Sequence, residues 1–426
     1  MRKIFVFALS QLLFLAACGG GSSIGGGSGT GSGSGTGQTV TPANGTNAIT
    51  MEVNAGPSGN DANIPFVSVT ICAPGSTTNC QVIPNVEVDT GSYGVRIIYS
   101  VLQNNPTLLS ALTQQTAQAG GNLVECTQFG DGYSWGSMRV ADVTLGTEKA
   151  ASQSIQIIGD QDSLNNVPTT CSNTGPVEDT VAAFGANGII GLGPFVTDCG
   201  DCTVSIESAF YWGCPSGGGG CTQTLVTEAQ EATNPVASFA QDNNGVILEL
   251  PALTASGAAT ASGTLVFGVG TEGNNSLGSA TVLTTDGSGF INTIYKGVTY
   301  TQGFIDSGSN ENFFDDATIA HCTSGSGSSA QTYYCPTSEL TETATEEGVT
   351  SSGGVGNQAA VTFYVMDPGK LNGSYTAYDN VASPLTSGLT DNTDFDFGLP
   401  FFYGRFVYTV IENKNTSGGV GPYFAF

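Results

Sequence analysis

Two short segments of the chain are nearly the same, Asp89-Thr90-Gly91-Ser92 and Asp306-Ser307-Gly308-Ser309, and each follows a run of apolar or β-branched residues. The pattern predicts a carboxylate on a tight loop at the end of a strand, with the glycine there for backbone angles that a Cβ would forbid. If the two strand ends meet, the two carboxyls cannot both ionise easily. They then share a proton and can act as base and acid on one water molecule.

The surrounding composition predicts β structure. Glycine is abundant (61 residues), lysine and arginine together number only 9, and Val, Thr, Ile, Phe and Tyr recur in short runs broken by Gly, Asn, Asp and Ser. The candidate short helices are Thr107 to Gln118 and Val226 to Ala240, the second broken by Pro235. From Ile49 onward the chain is long enough for one large all-β domain or two lobes.

At the start, Arg2 and Lys3 precede an apolar run from Ile4 to Ala17 that ends in Leu15-Ala16-Ala17-Cys18. The run is short for a membrane span and has the charged, apolar and small-residue parts of a secretory signal. It resembles a bacterial lipoprotein signal, in which Cys18 would become the lipidated first residue; an ordinary signal peptide is the alternative. The next residue is Gly19 rather than aspartate, which by the same resemblance leans toward the outer membrane. Gly19 to Gly37 is almost pure glycine, serine and threonine, a flexible tether that cannot bury a core. The expected organisation is a signal over 1–18, a tether over 19–48, and β lobes over 49–244 and 245–426.

A formal net charge of −26 argues against nucleic acid or anionic lipid as a partner, since neither gains from a surface of like sign. Of eleven cysteines, Cys18 would be taken by lipid, leaving ten, an even number in an exported chain. Cys72 with Cys80 and Cys322 with Cys335 read as local staples. Cys199, Cys202, Cys214 and Cys221 have either disulfides or a four-thiolate zinc site open to them, and an oxidising compartment favours disulfides. The single histidine, His321, excludes a multi-histidine metal site and leaves little room for histidine-based catalysis. What remains is carboxylate chemistry, either peptide hydrolysis by an aspartate pair or glycoside hydrolysis by two acids, with no cofactor required. The glycine-flanked repeat favours the first.

With these residues in view, the chain resembles the pepsin-like aspartic proteases, in a form closer to a group of bacterial lipoproteins than to digestive enzymes. Ile64 to Ile71 and Val82 to Val88 resemble the family's opening hairpin, and Phe129-Gly130-Asp131-Gly132 through Tyr133, Trp135 and Gly136 resembles its flap. Ala186 to Gly193 and Phe395 to Phe402 resemble the segments that thread beneath the two aspartate loops. Gly245 to Leu250, Gly263 to Val269 and Arg405 to Ile411 resemble strands between and after the lobes.

The resemblance implies an all-β, bilobal acid-protease fold with pseudo-twofold symmetry. Asp89 and Asp306 would be the catalytic pair, Gly91 and Gly308 would let the loops approach, and the hydroxyls of Thr90 and Ser307 would bond across to the opposite loop. Ser92 and Ser309 would tune which acid keeps the proton. The flap would close over an extended peptide, the expected substrate of a monomeric enzyme. Phe129 stands in place of a flap tyrosine, with Tyr133 and Trp135 as substitutes for its hydrogen bond. Arg96 stands in place of that tyrosine's tryptophan partner, Tyr93-Gly94 in place of a Ser-Asn pair, and Leu399 in place of an aspartate. The competing reading is a pepsin-like surface module that binds peptide with little turnover.

Overall fold

The computed structural model describes residues 40–41, 43, 45–160, 167–206, 210–216, 219–324, 331–385 and 393–426. The signal, Cys18 and most of the tether lie outside the described residues. The fold is all-β, and the longest α-helix among the described residues is the six-residue Pro106–Ala111.

Six strands close into a barrel. Pro65–Cys72 pairs with Cys80–Asp89, which runs parallel to Gly188–Leu192; next come Tyr93–Ile98, Glu148–Ile158 and Tyr133–Leu145. The last strand returns to the first through Thr70↔Thr144 and Cys72↔Asp142, so no edge is left open within the ring. Both faces of its central strands are covered: every residue of Tyr93–Ile98 and of Gly188–Leu192 is buried, and all but Arg96 are uncharged. Asn122–Gln128 extends Tyr133–Leu145 as a hairpin, with Gln128 opposite Tyr133.

A row of antiparallel strands carries the sheet on from the barrel. It comprises Ala48–Val53, Ala261–Phe267, Gly245–Glu249, Phe406–Val410, Tyr423–Ala425 and Val282–Thr284. A separate seven-stranded sheet holds Val298–Ile305, the hairpin Leu340–Val349 with Val355–Val365, and Asp394–Phe397. One apolar cluster runs from barrel residues such as Val88 and Ile190 to Phe314, Phe363 and Phe395 of this second sheet.

The same three-strand arrangement occurs at both aspartate loops. Gly188–Leu192 is parallel to the strand before the first loop, with Asp89↔Gly191, and antiparallel to the strand after it, with Tyr93↔Leu192. Asp394–Phe397 is parallel to Val298–Ile305, with Ile305↔Phe397, and meets Phe313 on its other side through Asp396. Each aspartate is thus held at a strand end by neighbours distant in sequence.

Two expectations need correction. The helix over Thr107 to Gln118 stops at Ala111, because Thr113–Gln114 is captured as a short strand against Val140 and Arg139. Val226 to Ala240 forms only two 3-10 turns, Glu228–Gln230 and Pro235–Ser238; Pro235 opens the second turn, where its missing N–H costs nothing.

Ten cysteines form five disulfides: Cys72–Cys80, Cys126–Cys171, Cys199–Cys202, Cys214–Cys221 and Cys322–Cys335. The four-thiolate zinc alternative is therefore overturned, since those four sulfurs are bonded in pairs. The longest loop belongs to Cys126–Cys171, which ties the hairpin to a segment 45 residues on. Loop-closure entropy gives it about 4 kcal/mol. Replacing both cysteines by serine is expected to lower the urea midpoint accordingly, and an unchanged midpoint would mean that the closed loop is ordered without its crosslink.

Candidate active site

The two aspartate loops interlock through their second residues. The Thr90 N–H donates to Ser307 Oγ at 3.1 Å, and the Ser307 N–H donates to Thr90 Oγ1 at 3.0 Å. Each hydroxyl passes its own proton to a carbonyl on the far side, Thr90 Oγ1 to Ile305 O at 3.2 Å and Ser307 Oγ to Val88 O at 2.7 Å. All four bonds are buried, so each position requires a side chain that both accepts and donates.

Behind this lock the carboxyls lie close together. Asp89 Oδ1 accepts from the Gly91 N–H at 2.7 Å, and Asp306 Oδ1 accepts from the Gly308 N–H at 2.8 Å. A Cβ placed on Gly91 would fall 2.6 Å from Asp306 Cγ, and one on Gly308 would fall 2.7 Å from Asp89 Cγ. Neither glycine has a positive φ. The expectation that they serve special backbone angles is therefore corrected: what they supply is space.

Both aspartates are 0% exposed. Burial first, then the charges of Asp89 and Asp396, push Asp306 well above the usual carboxylate range. The pair therefore retains a proton at pH values where ordinary carboxyls have lost theirs. The two serines differ: Ser309 Oγ donates to Asp306 Oδ2 at 3.1 Å, whereas Ser92 Oγ and Asp89 Oδ2 are buried without a hydrogen-bond partner among the described residues.

The hairpin residues divide. Phe129 is packed among Ile64, Phe66, Ile98 and Phe184, edge-on to the Phe184 ring at 5.7 Å, and its N–H closes the turn onto Gly132 O at 2.9 Å. Tyr133 and Trp135 belong to a different cluster with Trp212 and the cysteines of two disulfides. Trp135 lies 6.2 Å from the Trp212 ring.

The tip is bound to the segment around Pro176 and Glu178. Tyr133 N–H donates to Pro176 O at 3.1 Å, Thr174 Oγ1 donates to Gly132 O at 2.9 Å, and a Cβ on Gly132 would meet Glu178 at 2.6 Å. The Asp131 carboxyl pairs with that of Glu178, and burial pushes Asp131 up to about 8. Glu87, a fully buried acid, is raised by burial and then by the charges of Asp89 and Asp131.

Arg96 forms the ion pair that backs the hairpin. Its Nη2 meets Glu125 Oε1 at 2.5 Å, its Nε donates to Thr127 Oγ1 at 2.8 Å, and its Nη1 donates to Tyr93 O at 2.7 Å. Asp198 stands 3.6 Å away and accepts from the Tyr211 hydroxyl at 2.7 Å. Arg96 is thus the centre of a buried charged clamp.

On the other side, Asn63 donates to Asn310 O and to Tyr378 O, both at 2.9 Å, fixing the segment 61–64 beside the second loop. Reading the sequence alone missed Asp396 and Glu87. The available signal was an acid with an apolar residue on each side of it in a strand: Asp396 lies between Phe395 and Phe397, and Glu87 between Val86 and Val88. Leu399 is buried in the main core, and its N–H donates to Ser309 O at 2.7 Å.

A family model described as a protein of unknown function (DUF3443) matches residues 43–426, nearly the whole chain, and the chain belongs to that family. No curated protein matches it.

Because Arg96 is fully buried between two acids, Arg96→Met is expected to cost about 3–5 kcal/mol by leaving Glu125 and Asp198 without their counter-ion. Chemical unfolding at neutral pH measures this, and a loss below 1 kcal/mol would show that the pair is carried by its other partners.

Proposed function

We propose that this member of the family is an envelope-anchored aspartic endopeptidase of pepsin-like, bilobal architecture. The observation that carries the reading is the reciprocal Thr90–Ser307 lock, with two buried carboxyls close enough that each loop needs glycine to admit the other's acid. In this reading the ionised carboxylate takes a proton from water as its oxygen attacks the scissile carbonyl carbon. The protonated partner gives its proton to the carbonyl oxygen. Collapse of the tetrahedral species returns a proton to the leaving amine, and no covalent enzyme intermediate is needed. An extended peptide would lie across Asp89 and Asp306 beneath the hairpin tip 129–132, bonded in part through its backbone. A lipid on Cys18 would hold the protein at a bacterial membrane, with the outer membrane as the expected address and a single chain as the working unit.

A second reading has its own support. Both aspartates are 0% exposed, and the hairpin is pinned by Cys126–Cys171 and by the bonds to Pro176 and Thr174. A site closed in this way suits a weakly active or inactive module that binds peptide or protein. Glycoside hydrolysis receives less support, since it asks for acids about 5–9 Å apart, wider than these glycine contacts suggest.

The test is cleavage of an unfolded protein from acidic to neutral pH. Pepstatin-sensitive cleavage that disappears in Asp89→Asn and in Asp306→Asn is expected, and parental activity in either variant would remove the pair from the chemistry. The profile should be bell-shaped with an acidic optimum, falling at low pH as the pair gains a second proton and at high pH as it loses the shared one. A maximum above neutrality would contradict the mechanism.

A further inference from the structure

A third acid stands behind the aspartate pair. Asp396 lies on Asp394–Phe397, opposite Phe304 on one side and Phe313 on the other. Alternation along that strand sends Phe395 and Phe397 into the aromatic core, where Phe395 stacks on Phe314 at 5.0 Å and Phe397 meets Phe363 at 5.4 Å. Asp396 takes the opposite face, toward the aspartate loops. It is 0% exposed, and neither of its oxygens is in a hydrogen bond of normal geometry. The polar group against it is the Ser309 hydroxyl, which already donates to Asp306 Oδ2 at 3.1 Å.

An acid buried in this way weakens the fold unless it does something else, since an apolar side chain would fill the same space without the cost of desolvating a carboxyl. The charged groups acting on it are all acids: Asp89 from the opposite loop and Asp394 two residues back on its own strand. Burial, the largest cause, pushes its carboxyl well above the ordinary range, with the two charges adding to it and the Ser309 hydroxyl, which favours the ionised form, only partly offsetting it. Its charge in turn raises Asp306.

We propose that Asp396 is a positioning residue of the aspartate pair, acting through Ser309 on Asp306 and, once ionised, holding the pair's shared proton to higher pH. The inference rests on the endopeptidase reading. While neutral, Asp396 offers an O–H to Ser309 Oγ, whose own proton is committed to Asp306. The chain from Asp396 through Ser309 to Asp306 then has one direction and fixes the orientation of the Asp306 carboxyl. When Asp396 ionises it places a negative charge beside the pair, which makes removal of the shared proton harder. The three carboxyls titrate as one unit.

Asp396→Asn keeps the shape and cannot ionise. In the pH–rate profile of the purified protein, the acid limb is expected to stay at the parent's pH while the alkaline limb moves to lower pH, a several-fold loss of kcat/KM at a fixed pH on that limb. Asp396→Val, a strand former without a polar group, should move the same limb in the same direction. A uniform loss with both limbs in place would overturn the proposal.

Thermal unfolding gives a readout that needs no catalysis. A carboxyl raised in the folded state adds stability that is whole below its unfolded pKa, near 3.8, and is lost as pH rises toward the folded value. The parent Tm should therefore fall with rising pH more steeply than that of Asp396→Asn, and the difference should shrink in an Asp89→Asn, Asp306→Asn background. A difference of undiminished size there would show that Asp396 is not tied to the pair. A parent that cleaves nothing would defeat the endopeptidase reading alone, and the Tm comparison would still decide the link.

Discussion

Four buried hydrogen bonds between Thr90 and Ser307 and the opposite strands hold the molecule's centre together. Each contributes only about 1 kcal/mol net, but losing one hydroxyl strands a buried N–H and a buried carbonyl at about 1–3 kcal/mol apiece. The lock is therefore cooperative, and it joins segments 217 residues apart. It also dictates the neighbouring residues. With the loops this close, only glycine fits at positions 91 and 308, and the two carboxyls are brought into one dry space.

That space belongs to an interior rich in acids. Glu87, Asp131, Glu178, Asp306 and Asp396 are all raised by burial before any other cause. The chain has 35 acidic residues against 9 lysines and arginines, so most buried acids have no cation to meet and are accommodated by keeping a proton. Arg96 is the instructive exception, because it is spent behind the hairpin on Glu125 and Asp198 rather than on the aspartate pair. For the raised acids, the folded state holds more protons than the unfolded one at mildly acidic pH. Their contribution to stability is whole below the unfolded pKa and is lost as pH rises through the folded values, about 8 for Asp131 and also for Glu346.

Much of the framework was legible in the sequence because it follows from local chemistry. The strands before both acid loops are rich in apolar and β-branched residues, and with the two segments running beside them they form strands at Cys80–Asp89, Gly188–Leu192, Val298–Ile305 and Asp394–Phe397. The spacing of Cys72 and Cys80 across a turn was enough to anticipate their bond. The helix between Thr107 and Gln118 failed because pairing of Thr113–Gln114 with a distant strand outweighed a weak helical pattern, a contest that no local window contains. The part played by Asp396 and the acid partners of Arg96 were missed for a related reason: a buried charge on a strand acquires its meaning from groups on other strands. Gly91 and Gly308 were noticed but misread, since their reason is the opposite carboxyl and not their own backbone.

The most direct test of a proton shared between the two acids is to count it. Potentiometric titration of the parent against the Asp89→Asn, Asp306→Asn double variant, both folded, reports the protons that the pair binds at each pH. The account predicts one proton released in the acid range and the other retained toward neutrality. Release of both protons in the ordinary carboxylate range would mean that the carboxyls ionise independently, and the pair would lose its place at the centre of this structure.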